Sequence, residues 1–123
     1  MSRLFLAIGA AAAGIAVAAG AFGAHGLEGR VTPDRIDTFR TGVTYQMYHA
    51  LALLFVSWAT VQWAHPLIDW AGYCFIAGMI IFSGSLYVLV LTDTGWLGAI
   101  TPFGGVAFIV GWGLLLWGVL NAG

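Results

Sequence analysis

The sequence predicts an all-α integral membrane protein: a four-helix up-down-up-down bundle, with a short amphipathic interfacial helix between spans one and two. Three observations support this fold class. Of the 123 residues, 61% are hydrophobic and only 7% are charged, whereas soluble domains carry about 25% charged residues. The apolar residues form four segments of about 20 residues, the length that crosses the hydrocarbon core. These segments are uniformly apolar rather than alternating, which argues against a transmembrane barrel.

The spans are predicted at about 4–24, 43–63, 70–91 and 102–120 of a single transmembrane domain, 1–123. The first consists mostly of alanine and glycine, which gain little from lipid contact, so we expect it to pack against other helices. Small residues four apart, such as Ala10, Gly14 and Ala18, allow close backbone approach. A secretory signal peptide with Arg3 as its positive region is the alternative, and we favour the span.

The charged stretch between spans one and two predicts the interfacial helix, over about 33–41. Thr32 before Pro33 is typical of a helix start, because a hydroxyl caps the first turn and proline fits into it. Ile36, Phe39 and Val43 follow at spacings of three and four with charged residues on other faces, as in a helix lying at the membrane surface.

The later helix boundaries follow from proline and capping residues. Pro66 is predicted to break the chain after span two, with Asp69 capping span three, and Thr101 is predicted to cap span four ahead of Pro102. Aromatic residues near the span ends match an interfacial belt: Trp63, Trp70, Trp96, Trp117 and Tyr45.

Polar side chains of all four helices are predicted to gather in one half of the membrane. Because alternate spans run in opposite directions, the ends of spans one and three share a face with the starts of spans two and four. A rise of about 1.5 Å per residue places His49 about 9 Å below Val43, with Ser85 and Tyr87 at similar depth. The predicted polar cluster comprises His25, Tyr45, Gln46, His49, Ser83, Ser85, Tyr87 and Thr101.

This cluster is either structural or functional. Interhelical hydrogen bonds contribute about 0.6 to 2 kcal/mol each, whereas ionisable groups inside a membrane are functional hypotheses by default. We favour the structural interpretation, because neutral histidine is cheaper to bury than a carboxylate. His25 and His49 would lie about 9 Å apart along the axis, too far to share a metal or haem, so no cofactor is expected.

Other chemistries find little support in the sequence. Ser83 or Ser85 with His49 could resemble a hydrolase, but no G-x-S-x-G motif is present, so no catalytic residue is assigned. Cys74 lies in an apolar run and is expected to be a buried small hydrophobe. The net charge is −1, which gives no indication of nucleic-acid binding.

Four stretches in order resemble a known family. "GAFGAHGL" (20–27), "FRTGVTYQMYHALALL" (39–54), "FSGSLY" (82–87) and "ITPFGG" (100–105) are similar to the domain of unknown function 423 family, which includes the animal transmembrane protein 256. The resemblance implies a small integral membrane protein with several helices and no established reaction. Carried over to this chain, the motif positions are Gly23, His25, Gly26, Gly42, Tyr45, Gln46, His49, Ser83, Gly84, Ser85, Tyr87, Thr101, Pro102 and Gly104.

Three classes of function remain open. We expect a non-enzymatic accessory or structural subunit that acts through intramembrane helix contacts, with membrane lipids and a larger membrane complex or further copies of itself as partners. A binder of a lipid, quinone or other apolar ligand, with His49 and Tyr45 as polar contacts, is the first alternative. A small oligomeric transporter or channel is the second.

Orientation follows from the arginines, since the chain has no lysine. Arg30, Arg35 and Arg40 lie between spans one and two, and Arg3 lies at the N-terminus. The positive-inside rule therefore predicts the three-arginine loop in the cytoplasm and both termini outside, in the bacterial cytoplasmic (inner) membrane.

Spans three and four are predicted to pack as antiparallel neighbours along a seam of small residues. Ala71, Gly78 and Ser85 are seven apart, as are Gly104, Gly111 and Gly118, and a seven-residue repeat keeps one seam facing a partner. The predicted pairs are Ser85 with the Gly104 end, Gly78 with Gly111, and Ala71 with Gly118.

Overall fold

The structure, a computed structural model, describes residues 2–122, in which every long element is a helix and no strand occurs. We number the helices α1 (Ser2–Leu27), α2 (Pro33–Gln62), α3 (Pro66–Thr92) and α4 (Thr101–Asn121). A 3-10 turn, Gly95–Ala99, precedes α4. The all-α prediction is confirmed.

Helices α1 and α3 each contain one π-helical turn, at Ala19–Gly23 and at Met79–Ser83. A π turn widens a helix by one residue, is rare, and occurs frequently at functional sites. The first turn lies largely within the motif stretch 20–27, and the second overlaps the start of the stretch 82–87. Nothing in the sequence predicted them.

The helix starts confirm one predicted cap and correct two. The amide of Arg35 donates to Oγ1 of Thr32 at 3.4 Å, as expected for a capping hydroxyl before proline. Pro66 begins α3 rather than only breaking the chain, and the cap is His65, whose Nδ1 accepts from the amide of Leu67 at 3.2 Å. The prediction that Asp69 caps this helix was wrong.

The predicted cap at Thr101 was also wrong. Helix α4 begins there without a side-chain cap. The Thr101 hydroxyl instead contacts the Leu97 carbonyl at 3.4 Å and the Ser85 hydroxyl at 2.6 Å. Contact with α3 therefore replaces capping as the role of this side chain.

The interfacial helix is not a separate element. Residues 33–41 form the first turns of α2, which continues without a break to Gln62. Gly42 does not bend the chain, because its surface is packed against α3: a Cβ added there would lie 2.9 Å from Cε1 of Tyr87. Close packing of α3 against this position is compatible with a continuous helix.

Antiparallel helices pack in two pairs, α1 on α2 and α3 on α4, and α2 also lies against α3. The largest fully buried side chains form one core: Phe5, Leu53, Val56, Ile68 and Phe75. The Phe5 ring lies against the backbone of Gly72, which brings α1 into contact with α3 as well.

Three helical stretches within residues 2–122 are long and apolar enough to cross a membrane: Ser2–Leu27, Pro66–Thr92 and Gly95–Asn121. Helix α2, at 30 residues, is also long enough, but it is not among these apolar stretches. The structure thus has four long helices, of which three have the composition of a span.

The seam between α3 and α4 exists, but its register differs from the prediction. A Cβ added to Gly111 would lie 2.7 Å from Cε1 of Phe75 and one added to Gly118 would lie 2.9 Å from Cγ1 of Ile68, while Gly78 faces the Phe108 ring and Gly104 faces Phe82. Each glycine therefore faces a large residue of the other helix rather than a small one. Every predicted pair is displaced by three residues, because a large side chain fills the space above a glycine that a second small residue would leave empty.

Candidate functional site

The first part of the polar network joins α1, α2 and α3 through Gln46. Its Nε2 donates to the backbone carbonyl of Ala12 at 2.8 Å, and its Oε1 accepts from the Tyr87 hydroxyl at 2.7 Å. Gln46 is 7% exposed. Because a buried amide without partners would cost free energy, these bonds fix both the rotamer of Gln46 and the spacing of the three helices.

Two serines of α3 extend the network in opposite directions. Ser83 is buried and donates to the carbonyl of Gly42 in α2 at 2.7 Å. Ser85 donates to the Phe82 carbonyl at 2.9 Å and shares a hydrogen bond of 2.6 Å with the Thr101 hydroxyl of α4, in which either oxygen can be the donor. The two serines thereby tie α3 to both of its neighbours.

His49 ties α2 to α4, and its hydrogen bonds define its tautomer. The indole Nε1 of Trp112 lies 3.1 Å from Nε2 of His49, and Nδ1 of His49 lies 2.8 Å from the carbonyl of Tyr45. An indole N–H can only donate and a carbonyl can only accept. Nε2 must therefore be unprotonated and Nδ1 must carry the hydrogen, so the imidazole is neutral.

Aromatic rings enclose the imidazole. The ring of His49 stacks on Phe108 with centroids 3.5 Å apart and 10° between the planes, and Phe75 and Trp112 lie at 5.4 and 5.8 Å. His49 is 4% exposed. With both nitrogens engaged and both ring faces shielded, no lone pair is available to an added ligand in this arrangement.

Two of the predicted cluster residues do not join the network through their side-chain tips. His25 is exposed at the end of α1, where Nδ1 lies 3.4 Å from Oε1 of Glu28. Tyr45 is 40% exposed; its ring stacks on Phe82 at 4.6 Å, and its contribution to the network is its backbone carbonyl. Gln46, His49, Ser83, Ser85, Tyr87 and Thr101 are the members whose side chains make interhelical bonds.

Sequence reasoning missed four partners of the network. Trp112 and Phe108 were assigned no role, and the carbonyls of Ala12 and Gly42 carry no sequence signal. Trp112 did leave a clue: unlike the tryptophans at span ends, it lies in the middle of its helix, where an indole N–H needs an internal partner. The assumed depths were also inexact, because His49 lies beside Phe108 and Phe75 rather than at the level of Ser85.

The network can hold helices in register and can offer few groups to a ligand. Within residues 2–122, every buried side-chain nitrogen and oxygen has a hydrogen-bond partner, and no three His, Cys, Asp or Glu side chains converge as a metal site would need. One polar pair borders open space: Gln46 and Tyr87 lie on the wall of a groove of about 380 Å³ between α1 and α3, otherwise lined mainly by apolar side chains.

Helices of membrane-spanning length, many exposed apolar side chains and interhelical hydrogen bonds between buried polar groups define a helical membrane protein. Comparison with known proteins gives the family. The chain belongs to the family described as protein of unknown function (DUF423), whose model matches residues 19–105. That range contains all four motif stretches, so the resemblance found in the sequence is confirmed.

Curated relatives cover nearly the whole chain. A UPF0382 membrane protein of Staphylococcus aureus is 48% identical over 115 residues, 93% of each chain. UPF0382 membrane protein YwdK of Bacillus subtilis is 47% identical over 111 residues, 89% of this chain and 90% of its own. No solved structure matches the chain.

Proposed function

We propose that this chain is a four-span protein of the bacterial cytoplasmic membrane that acts as a non-enzymatic accessory or structural subunit. Its partners would contact it within the bilayer, either as other proteins of a larger complex or as further copies of itself. The three-arginine region at the start of α2 lies in the cytoplasm and both termini lie outside, following the positive-inside rule.

Helix α2 serves as the fourth span in this proposal, despite its modest hydropathy. From position 43 to 62 it contains no charged residue. Its polar side chains Gln46, His49 and Ser57 are buried and bonded to neighbouring helices, where they do not meet lipid. Its exposed side chains are large and mostly apolar: Tyr48, Leu51, Phe55, Trp58 and Val61. The mean hydropathy of the α2 sequence is lowered by polar side chains that point into the bundle. Lipid contacts only the outer face, which is more apolar than this mean.

The observation that supports an accessory role is a stripe of small residues on the outer face of α1. Ala10, Gly14 and Ala18 are four apart and all exposed, and no heavy atom lies within 4 Å of a Cβ added to Gly14. Close approach of small residues is a main source of helix association in lipid, where hydrophobic burial gives little drive. The bundle leaves this surface uncovered, so it is available to a helix of a partner.

The test compares Gly14→Leu with Gly113→Leu, since a Cβ at either position meets nothing within 4 Å. Both variants should fold and keep the thermal stability of the parent in detergent. After mild solubilisation, the amount of protein partner or second copy that co-purifies with the chain should fall at least tenfold with Gly14→Leu. It should stay at the parent level with Gly113→Leu. If Gly14→Cys shows no protein–protein crosslink in membranes, or if assembly survives Gly14→Leu, the proposal fails.

Binding of a lipid, quinone or other apolar ligand remains a second candidate, favoured by the groove between α1 and α3. Its polar contacts would be Gln46 and Tyr87 rather than His49 and Tyr45, because both nitrogens of His49 are engaged. The second Nε2 hydrogen of Gln46 is the donor available to a ligand carbonyl. A stoichiometric apolar compound that is lost with Gln46→Leu but kept with Gly14→Leu would favour this function over the first.

A further inference from the structure

A polar pocket lies where α2 begins and α3 ends, apart from the network described above. Its volume is about 750 Å³, and it is lined by Gly29, Arg30, Val31, Thr32, Asp34, Arg35, Thr38 and Asp93. Two guanidinium groups, two carboxylates and two hydroxyls therefore surround a space the size of a small polar molecule. The charges balance, and none of these side chains belongs to the predicted cluster.

Arg35 is held in place on one side of the pocket. Its NH2 lies 3.3 Å from Oδ1 of Asp93, and its side chain is 31% exposed against 84% for Asp93. Asp93 ends α3 in the left-handed conformation, with φ 52°. A guanidinium has five N–H donors, so one ion pair positions Arg35 while leaving other donors directed to the surroundings.

Arg30 supplies a second guanidinium without a carboxylate of its own. Among residues 2–122 the close contacts between basic and acidic side chains are His25 with Glu28 and Arg35 with Asp93, neither of which involves Arg30. Thr32 accepts a bond from the Arg35 amide through Oγ1, which leaves its own hydrogen to donate. The pocket thus presents unused donors from both arginines and from Thr32, and its ligand must be rich in acceptors.

We propose that this pocket binds the phosphodiester group of a membrane glycerophospholipid. Arginine forks match phosphate oxygens in geometry and charge. The overall balance of charge in the pocket suits a singly charged or zwitterionic headgroup better than a polyphosphate. Exposed apolar side chains lie at the same end of the bundle, Leu91, Trp96 and Ile100, which places the pocket at headgroup level. This inference rests on the proposed placement of the bundle in the membrane and not on the accessory role.

The test measures retained lipid by native mass spectrometry on the full chain in detergent. Phosphatidylglycerol is compared with a diacylglycerol that has the same acyl chains and no phosphate. Arg30→Gln should lower phosphatidylglycerol retention about fivefold, the effect of one cation near an anionic lipid surface, without lowering the Tm, because Arg30 has no ion-pair partner among the described residues. Arg40→Gln is the matched control: it removes the same charge from the same charged region of the chain, but Arg40 lies within α2 and does not line the pocket.

Three results would overturn the proposal. Equal retention of diacylglycerol would show that acyl chains rather than phosphate are recognised. Equal losses with Arg30→Gln and Arg40→Gln would show only general attraction of an anionic lipid to arginines. Binding of soluble glycerol phosphate as tightly as the lipid, with the same dependence on Arg30, would assign the pocket to a free anion. Because partner assembly depends on Gly14 and lipid retention on Arg30, the two proposals can fail independently.

Discussion

The bond between Trp112 and His49 should couple α4 to α2 energetically. Trp112→Phe removes the indole donor but keeps an aromatic ring, and His49→Leu removes the acceptor and the ring that stacks on Phe108. If the 3.1 Å contact is a hydrogen bond, the two substitutions together should cost less than the sum of their separate effects. The difference is the coupling free energy of the pair.

The contacts of His49 set the expected loss of stability and the expected coupling free energy. An interhelical hydrogen bond in a membrane protein contributes about 0.6 kcal/mol on average and up to about 1.7. His49→Leu additionally loses the stack on Phe108, with centroids 3.5 Å apart, which contributes about 0.5 to 1.5 kcal/mol, and leaves the indole N–H unpaired. We therefore expect His49→Leu to lower the free energy of unfolding by about 2 kcal/mol. The expected coupling between His49 and Trp112 is about 1 kcal/mol.

Equilibrium unfolding in mixed micelles of the parent, both single variants and the double variant measures this coupling. Nitrogen NMR of the imidazole supplies a second measurement, because the hydrogen bonds require the neutral Nδ1–H tautomer of His49. Additive effects within about 0.3 kcal/mol, or the Nε2–H tautomer, would refute the assignment. So would a stoichiometric metal or haem that is present in the parent and lost with His49→Leu.

Two further predictions concern packing and orientation. Leucine at Gly78 or Gly111 should lower the free energy of unfolding by about 1 to 3 kcal/mol through overpacking against Phe108 or Phe75. Leucine at Gly113, which has open space around it, should change this free energy little. Equal effects at all three glycines would contradict the seam. A C-terminal reporter that is active only in the cytoplasm should stay silent, and activity would show that the orientation from the positive-inside rule is wrong.

The helix boundaries show which local sequence signals are enough to predict a helix start and which are not. The Thr32–Pro33 start was predictable because a hydroxyl cap and a first-turn proline act within one turn of backbone. The caps predicted at Asp69 and Thr101 failed for different reasons. His65 lies immediately before Pro66 and reaches the free amide first, and the Thr101 hydroxyl is engaged by Ser85 of another helix.

Membership of the polar network was largely predictable, but its bonding was not. Antiparallel spans bring Gln46, His49, Ser83, Ser85, Tyr87 and Thr101 to one half of the bundle by geometry alone. Which of them meet depends on helix rotation and on the direction of long side chains, which lean toward the N-terminus of their own helix. Tyr87 thereby reaches Gln46, and His49 pairs with Trp112, whose position in the middle of its helix indicated that its indole needs an internal partner but not which one.

The sequence by itself determined the helical class, the apolar segments and the need for internal polar partners, because composition and residue spacing act locally and lipid offers no hydrogen bonds. Tertiary structure alone decided the register of α3 against α4, the continuity of α2 through Gly42, the two π turns and the tautomer of His49. Each of these depends on a fit between surfaces of different helices. A glycine accepts a large side chain only where the opposite helix presents one, and displacement by three residues replaces every predicted partner with another.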